Sequence, residues 1–374
     1  MLISRFYPYL GGAEIQCARL SNELARNNNH IFILTQLLPG LKKCDKIDNL
    51  PVFRVGLPLN NRVGSLSYIT NGLLWLKKKV SEFDILHAHL AAAPAVLAGL
   101  ARSFFKKPVI LKLGGSRKTG DIGTSLATPH GKLKLAYLSK YMTHFVCPSN
   151  EIREEMLGSG FPGGRISVIP NGVDTSLFYP VEAGEKARLR ESLKLPKDAK
   201  IVVFSGRFEK GKGLEVLLDI WSKLDKQYKS EGILLVLLGS GSLEAEFRSE
   251  YATVRTVRFE GWKENTADYL KAGDIFILPS FGEGLPNSLL EAMACGLICI
   301  SSNIGGISEV MRDGENGLFI DPADSEGTFA VLERALSGAG AYTSLRANAG
   351  AYIQNNLSMR MIAQRYEELY GKLL

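Results

Sequence analysis

The stretch FGEGLPNSLLEAMACG, residues 281–296, sets Glu283 and Glu291 eight positions apart, with a Gly-Leu-Pro break between them. Carboxylates accept hydrogen bonds in pairs, and sugars present vicinal hydroxyls as donors. Two carboxylates flanking a helix start therefore suit two polyols held on either side of a phosphate, with the unpaired amides of residues 284–288 facing the same cleft. The plain alternative is a solvated loop glutamate and a second one favoured by the helix dipole. Spacing alone does not separate the two.

A second loop reads GRFEKGKG, residues 206–213. The forked guanidinium of Arg207 and the ammonium of Lys212 suit a diphosphate, and Gly211 and Gly213 allow close backbone approach. This is neither a P-loop nor a dinucleotide fingerprint. No Asp-x-Asp occurs, so the usual carboxylate pair for a magnesium- or manganese-bound diphosphate is missing. The expectation is chemistry with no metal site, in which cationic side chains and amides carry the phosphate charge.

In the first half, YLGGAE (9–14) places Gly11 and Gly12 before a helix, and DILHAH (84–89) puts His87 and His89 on one face of a strand. Position favours His89, at the strand's carboxyl end, for contact with a ligand; His87 reads as structural.

Positioning these groups requires strands that end where the loops begin. Candidates in the first half are 30–35, 52–55, 84–89, 109–113, 144–148 and 166–170. In the second half they are 200–206, 233–239, 256–261, 274–280, 298–302 and 317–321. Amphipathic helical patterns fall between them, so the chain reads as α/β, with parallel sheets covered on both faces. DIFILPS (274–280) precedes the Glu283 loop, and Pro286 suits the first turn of the helix that carries Glu291. The expected division is two Rossmann-like domains facing across a cleft, 1–172 and 173–356, with a last helix over 357–374. Asn171-Gly172 would begin the hinge. Ligands in such sheets gather beyond the carboxyl ends of the strands, where the loops just described lie.

Composition agrees: 45% hydrophobic, 22% charged and mean hydropathy +0.02 are ordinary for a globular chain. The longest apolar run, LAAAPAVLAGLA, is too short to span a bilayer. The start has no secretory core, and five unpaired cysteines point to a reducing, cytoplasmic setting. Charge is uneven: residues 1–175 hold 22 Lys/Arg against 11 Asp/Glu, within a net +7 for the whole chain. That basic excess lacks an aromatic-interleaved patch, so nucleic acid is not an expected partner. The runs WLKKKV (75–80), RSFFKK (102–107) and KLKLAYLSK (132–140) mix lysine with apolar residues. They suit either solvated helix faces or an anionic membrane surface.

Taken in order, YLGGAE, HAH, PNGVD, GRFEKGKG and the E-x7-E segment resemble the retaining nucleotide-sugar glycosyltransferases of family 4. The resemblance covers nearly the whole chain and is most specific over 261–322. It implies the GT-B fold, with the last helix packing back on the junction. It implies a donor such as a UDP- or GDP-linked hexose, a glycan or lipid-linked acceptor, and no cofactor beyond the donor itself. By position, Glu283 matches the glutamate near the donor sugar and Glu291 the one on the ribose. Arg207 and Lys212 match the diphosphate pair, and Gly12 the glycine loop closing over it. Leu285, Asn287 and Ser288 match helix-terminus contacts, Trp262 the region of the base, and His89 the place beside the transferred sugar. The family usually begins on a longer first strand, whereas only MLIS precedes Arg5 here. The competing readings are a GT-B sugar-nucleotide epimerase and a non-catalytic nucleotide-sugar binder.

Overall fold

The computed structural model describes residues 1–374 apart from Leu10, Lys118, Thr119 and Ser230 and the side chains of Ala339 and Gly340. The chain divides into Met1–Gly172 with Met359–Leu374, and Val173–Ser358.

In the first unit the strands are β1 (Leu2–Ile3), β2 (Ile33–Gln36), β3 (Cys44–Ile47), β4 (Leu50–Val55), β5 (Leu86–His89), β6 (Val109–Lys112), β7 (His144–Cys147) and β8 (Ile166–Val168). Helices α1 (Gly12–Arg26), α2 (Arg62–Lys78), α3 (Ala93–Phe105), α4 (Asp121–Leu126), α5 (Gly131–Tyr141) and α6 (Asn150–Gly158) connect them. The sheet order is β3-β4-β2-β1-β5-β6-β7-β8. Every neighbouring pair is parallel except β3–β4, an antiparallel hairpin. A wholly parallel sheet is therefore not what forms. The two-residue MLIS strand is central, between β2 and β5, where the Met1 ammonium donates to Phe32 O at 2.8 Å.

Strand periodicity sorts the first sheet's side chains by face. Leu86, Ala88, Val109, Leu111, Phe145 and Cys147 point into a core shared with α2, α3, α5 and α6. The alternate residues His87, His89 and Lys112 point to the opposite face, covered by α1 and by α15 (Met359–Leu373).

In the second unit the strands are β9 (Lys200–Ser205), β10 (Ile233–Leu238), β11 (Val257–Gly261), β12 (Ile275–Leu278), β13 (Ile298–Ser302) and β14 (Leu318–Ile320). Their order, β11-β10-β9-β12-β13-β14, is parallel throughout. The helices are α7 (Ala183–Ser192), α8 (Leu214–Gln227), α9 (Glu244–Glu250), α10 (Thr266–Ala272), α11 (Asn287–Ala294), α12 (Ile307–Val310), α13 (Ser325–Ser337) and α14 (Thr343–Asn356). Two inner strands, β12 and β10, are fully apolar runs, IFIL and ILLVLL, as a sheet covered on both faces demands. A largely buried ion cluster ties α7 to this sheet. Asp274 takes Lys186 Nζ at 2.6 Å, Arg190 Nη2 at 2.7 Å and the Ile201 amide at 2.8 Å. Burial alone would raise its carboxyl; Lys186, that amide and Arg190 hold it below its ordinary value instead.

Candidate active site

Each sheet reverses its winding at one place. In the second, chain order runs outward from β9 through β10 to β11 and then returns to the other side of β9 as β12. The loops leaving β9 and β12 therefore diverge from adjacent strands, the position at which open α/β sheets bind ligands. Those loops are GRFEKGKG and PSFGEGLP.

The structure brings Lys212 and Glu283 into contact. Lys212 Nζ lies 2.6 Å from Glu283 Oε1, and Ser280 Oγ donates to the same oxygen at 2.8 Å. The side chains are 20% and 10% exposed, so the pair is largely out of water yet reachable. The loops are also joined through backbone: the Phe281 amide donates to Gly211 O at 2.8 Å. Gly306, beyond β13, donates to Gly284 O at 2.7 Å. Gly213 caps α8 with φ +68°, and a Cβ there would lie 1.9 Å from Pro279 O. Only glycine lets the β9 loop press so closely on the end of β12.

Helix α11 begins at Asn287 with Pro286 as its N-cap, so the proline lies one position before the first helical turn where it was expected. Asn287 and Ser288 are the first two helical residues and half-buried, while Leu285 is buried. Glu291 sits in the second turn, 7% exposed. Its charge reaches Cys295, whose thiol burial pushes up to about 12, with Glu291 adding to the rise. Arg207 opens the β9 loop as an exposed residue. Its charge contributes to holding the Glu209 carboxyl low, after the hydrogen bonds from Ser242. Trp262 follows β11 and is 52% exposed; β10 and β9 separate its strand from β12.

In the first unit the winding reverses between β1 and β5. Gly12 starts α1, whose N-cap Gly11 donates its amide to Glu14 Oε2 at 3.0 Å. His89 ends β5 but is not an open, ligand-facing side chain: it is 2% exposed and stacks on His87 with ring centroids 4.5 Å apart. Burial, then His87 and Lys112, hold its imidazole well below the ordinary range, so it is neutral at physiological pH. His89 Nε2 has no hydrogen-bond partner among the described residues. His87 Nδ1 pairs with the Tyr370 hydroxyl at 2.8 Å. Tyr366 and Tyr370 of α15 pack against His87 on this face, and His89 stacks on that ring.

Two residues of these loops escaped the sequence reading. Ser280, fully buried, orients Glu283; a serine ending an apolar strand just before the loop was the available signal. Asp121 accepts from the Ala91 and Gly114 amides at 2.6 and 2.7 Å, fixing the turns after β5 and β6. No local pattern marks it. Among the described residues, no helix is long and apolar enough to cross a membrane.

Two Rossmann-like units, one carrying a Lys–Glu contact at its strand-end switch point, are the architecture of the GT-B class. A family model described as glycosyl transferases group 1 matches residues 199–337, and one described as glycosyltransferase family 4 matches residues 10–177. The chain is 30% identical over 251 residues to the lipopolysaccharide core biosynthesis glycosyltransferase LpsE of Rhizobium meliloti, covering 64% of this chain and 70% of that one. It is 28% identical over 263 residues to an Escherichia coli protein named UDP-Gal:alpha-D-GlcNAc-diphosphoundecaprenol alpha-1,3-galactosyltransferase, with 68% and 67% covered. The fold is similar to that of Anabaena Alr3699/HepE solved with UDP-glucose, at TM-score 0.79 and 18% identity over 99% of both chains. The chain belongs to glycosyltransferase family 4.

Proposed function

We propose that this protein moves a hexose-type sugar from a UDP- or GDP-linked donor to a glycan or lipid-linked acceptor in envelope polysaccharide or glycolipid assembly. The transfer would be metal-independent, with retention at the anomeric carbon, and would need no cofactor beyond the donor. The protein would work in the cytoplasm or at the inner face of the cell membrane. The observation that carries the reading is the Lys212–Glu283 contact at the sheet's switch point, with Glu291 on the helix that follows.

Transfer breaks the bond between the anomeric carbon and the β-phosphate oxygen, leaving negative charge on the diphosphate. Groups that bind that charge more strongly as it grows lower the barrier. Lys212 is the cation positioned for this: Glu283 holds it in one place, and its ammonium has further N–H donors for phosphate. Arg207, unrestrained, would fold onto the diphosphate when donor arrives. Glu283 and Glu291 would accept from hydroxyls of the transferred sugar and of the ribose. With Glu283 Oε1 already held by Lys212 and Ser280, same-face attack by the acceptor is favoured over a protein-bound intermediate. The leaving phosphate would take the acceptor's proton. Gly12 would contribute its backbone from the first unit, and Trp262 would lie near the base. The relatives named above, one acting in a lipopolysaccharide core and one on a diphosphoundecaprenol-linked sugar, support the acceptor class.

The test is a panel of UDP-, GDP- and ADP-sugars screened by thermal shift, then assayed with and without chelator. One nucleotide class should stabilise the protein, and activity should survive chelation with the product anomer matching the donor by NMR. Lys212→Ala should cut turnover on the order of 10²–10³-fold, as losing one donor to a developing oxyanion does. Glu291→Ala should weaken donor binding by roughly 10–100-fold. Full activity in Lys212→Ala, or activity restored only by added magnesium, would remove this mechanism.

A further inference from the structure

Helices α2, α3 and α5 pack side by side on one face of the first sheet, and their outward surfaces have a composition that solvent does not explain. On α2, Val63, Leu66 and Leu74 are 57, 63 and 61% exposed and follow each other at helical spacing along one stripe. Phe104 at the end of α3 is 67% exposed, and Leu133 on α5 is 70% exposed. A helix apolar on its outer as well as its inner side ordinarily has a partner on both. Exposed cations frame these residues: Arg62, Lys77 and Lys78 on α2, Lys106 just past α3, and Lys132 and Lys140 on α5.

Carboxylates are scarce here among the described residues: Glu82 and Asp84, just past α2, pair with Lys79 and Lys107. None of the three helices contains Asp or Glu, and between residues 85 and 150 the one acidic residue is Asp121, engaged by backbone amides. An ordinary solvated face mixes both signs. The neighbouring α6 does so, with Glu151, Glu154 and Glu155 beside Arg153. The three lysine-bearing runs, distant in sequence, thus lie on one side of the unit.

We infer that the outer face of α2, α3 and α5 is a membrane-docking surface for anionic phospholipid. Leucine and phenylalanine side chains at its crest would enter the headgroup–acyl boundary, and the ring of lysines would pair with lipid phosphates. Charge complementarity selects this occupant: a second copy of the same face would bring like charges together.

The experiment is co-sedimentation of the full chain with phosphatidylcholine vesicles, with and without phosphatidylglycerol. It needs no sugar donor, so it can fail while the transferase reading stands, and the reverse. Anionic vesicles should bind the protein at least roughly tenfold more tightly than neutral ones, with the difference shrinking as salt rises. The exposed pair Leu66→Glu and Leu74→Glu should lose most of that binding at an unchanged melting temperature. Lys77→Glu with Lys78→Glu should lose the preference for anionic lipid. Equal partition onto both vesicle types, or wild-type binding by the leucine double variant, would overturn the inference. So would a dimer in solution that the same leucine changes convert to monomer, since the face would then serve self-association.

Discussion

Gly213 carries a φ of +68°, and the carbonyl oxygen of Pro279 stands 1.9 Å from where its Cβ would be, so conformation and space both forbid a side chain there. Gly213→Ala should cost about 1–2 kcal/mol for the left-handed backbone alone, and the displaced oxygen adds to that. Because Pro279 lies one residue before Ser280 and four before Glu283, donor affinity should fall together with the melting temperature. A variant that melts lower but binds donor as wild type would uncouple the loop from the site. The residue scale is also where sequence reading stopped short. Lys212 and Glu283 are each legible as strand-end residues, but their contact depends on β9 and β12 being neighbours. That adjacency is fixed by the crossover through α8, β10, α9, β11 and α10, not by any local spacing. His89 was misjudged for a similar reason. Its strand position is readable, but it stacks on His87, which packs against a helix that begins only at Met359.

Strand and helix patterns were the most legible level, and β3 shows why one was missed. Its residues, Cys44-Asp-Lys-Ile, are mostly exposed and do not alternate apolar with polar. The hairpin's signal was instead its turn, where Asp48 and Asn49 hold φ of +48° and +68°. Between elements, the α1–α15 face of the first sheet makes a prediction of its own. His87 and His89 are held neutral chiefly by burial. Lys112 is lowered to about 8 and the Met1 ammonium to about 6, both mainly by burial. Each group binds its proton more readily in the unfolded chain, so acid favours unfolding. The Lys112 share is lost as pH falls from its unfolded value to about 8 and is constant below that. The Met1 share goes between 8.0 and about 6, and the histidine share as pH falls below 6.5. The melting temperature should therefore drop between pH 8 and pH 5.5, above the range where most carboxylates titrate. His89→Gln should flatten that slope; an unchanged slope would show that the imidazole is solvated or charged in the folded protein.

The second unit is inserted whole into the first: residues 173–358 lie between the first unit's body and its last helix. Its two ends meet, with Val173 bridging Ser358 and its amide donating to Leu357 O at 2.8 Å. A fragment of residues 173–358 should accordingly fold alone. Its stability should rest in part on Asp274. Removing that carboxylate leaves Lys186 and Arg190 without it, and breaking a buried pair costs about 3–5 kcal/mol. Asp274→Ala should lower the fragment's denaturation midpoint by a corresponding amount. A change of less than about 1 kcal/mol, typical of an exposed pair, would place the cluster in solvent.

The insertion also sets an order of events at the ribosome. Synthesis at about 5–20 residues per second takes roughly 10–40 s to pass through the second unit. Throughout that interval the first sheet's histidine-bearing side has α1 but not α15. Tyr366, Ile362 and Ala363, all at most 1% exposed once in place, arrive only after the whole second unit has been made. The second unit is thus complete before the histidine-bearing side of the first can close.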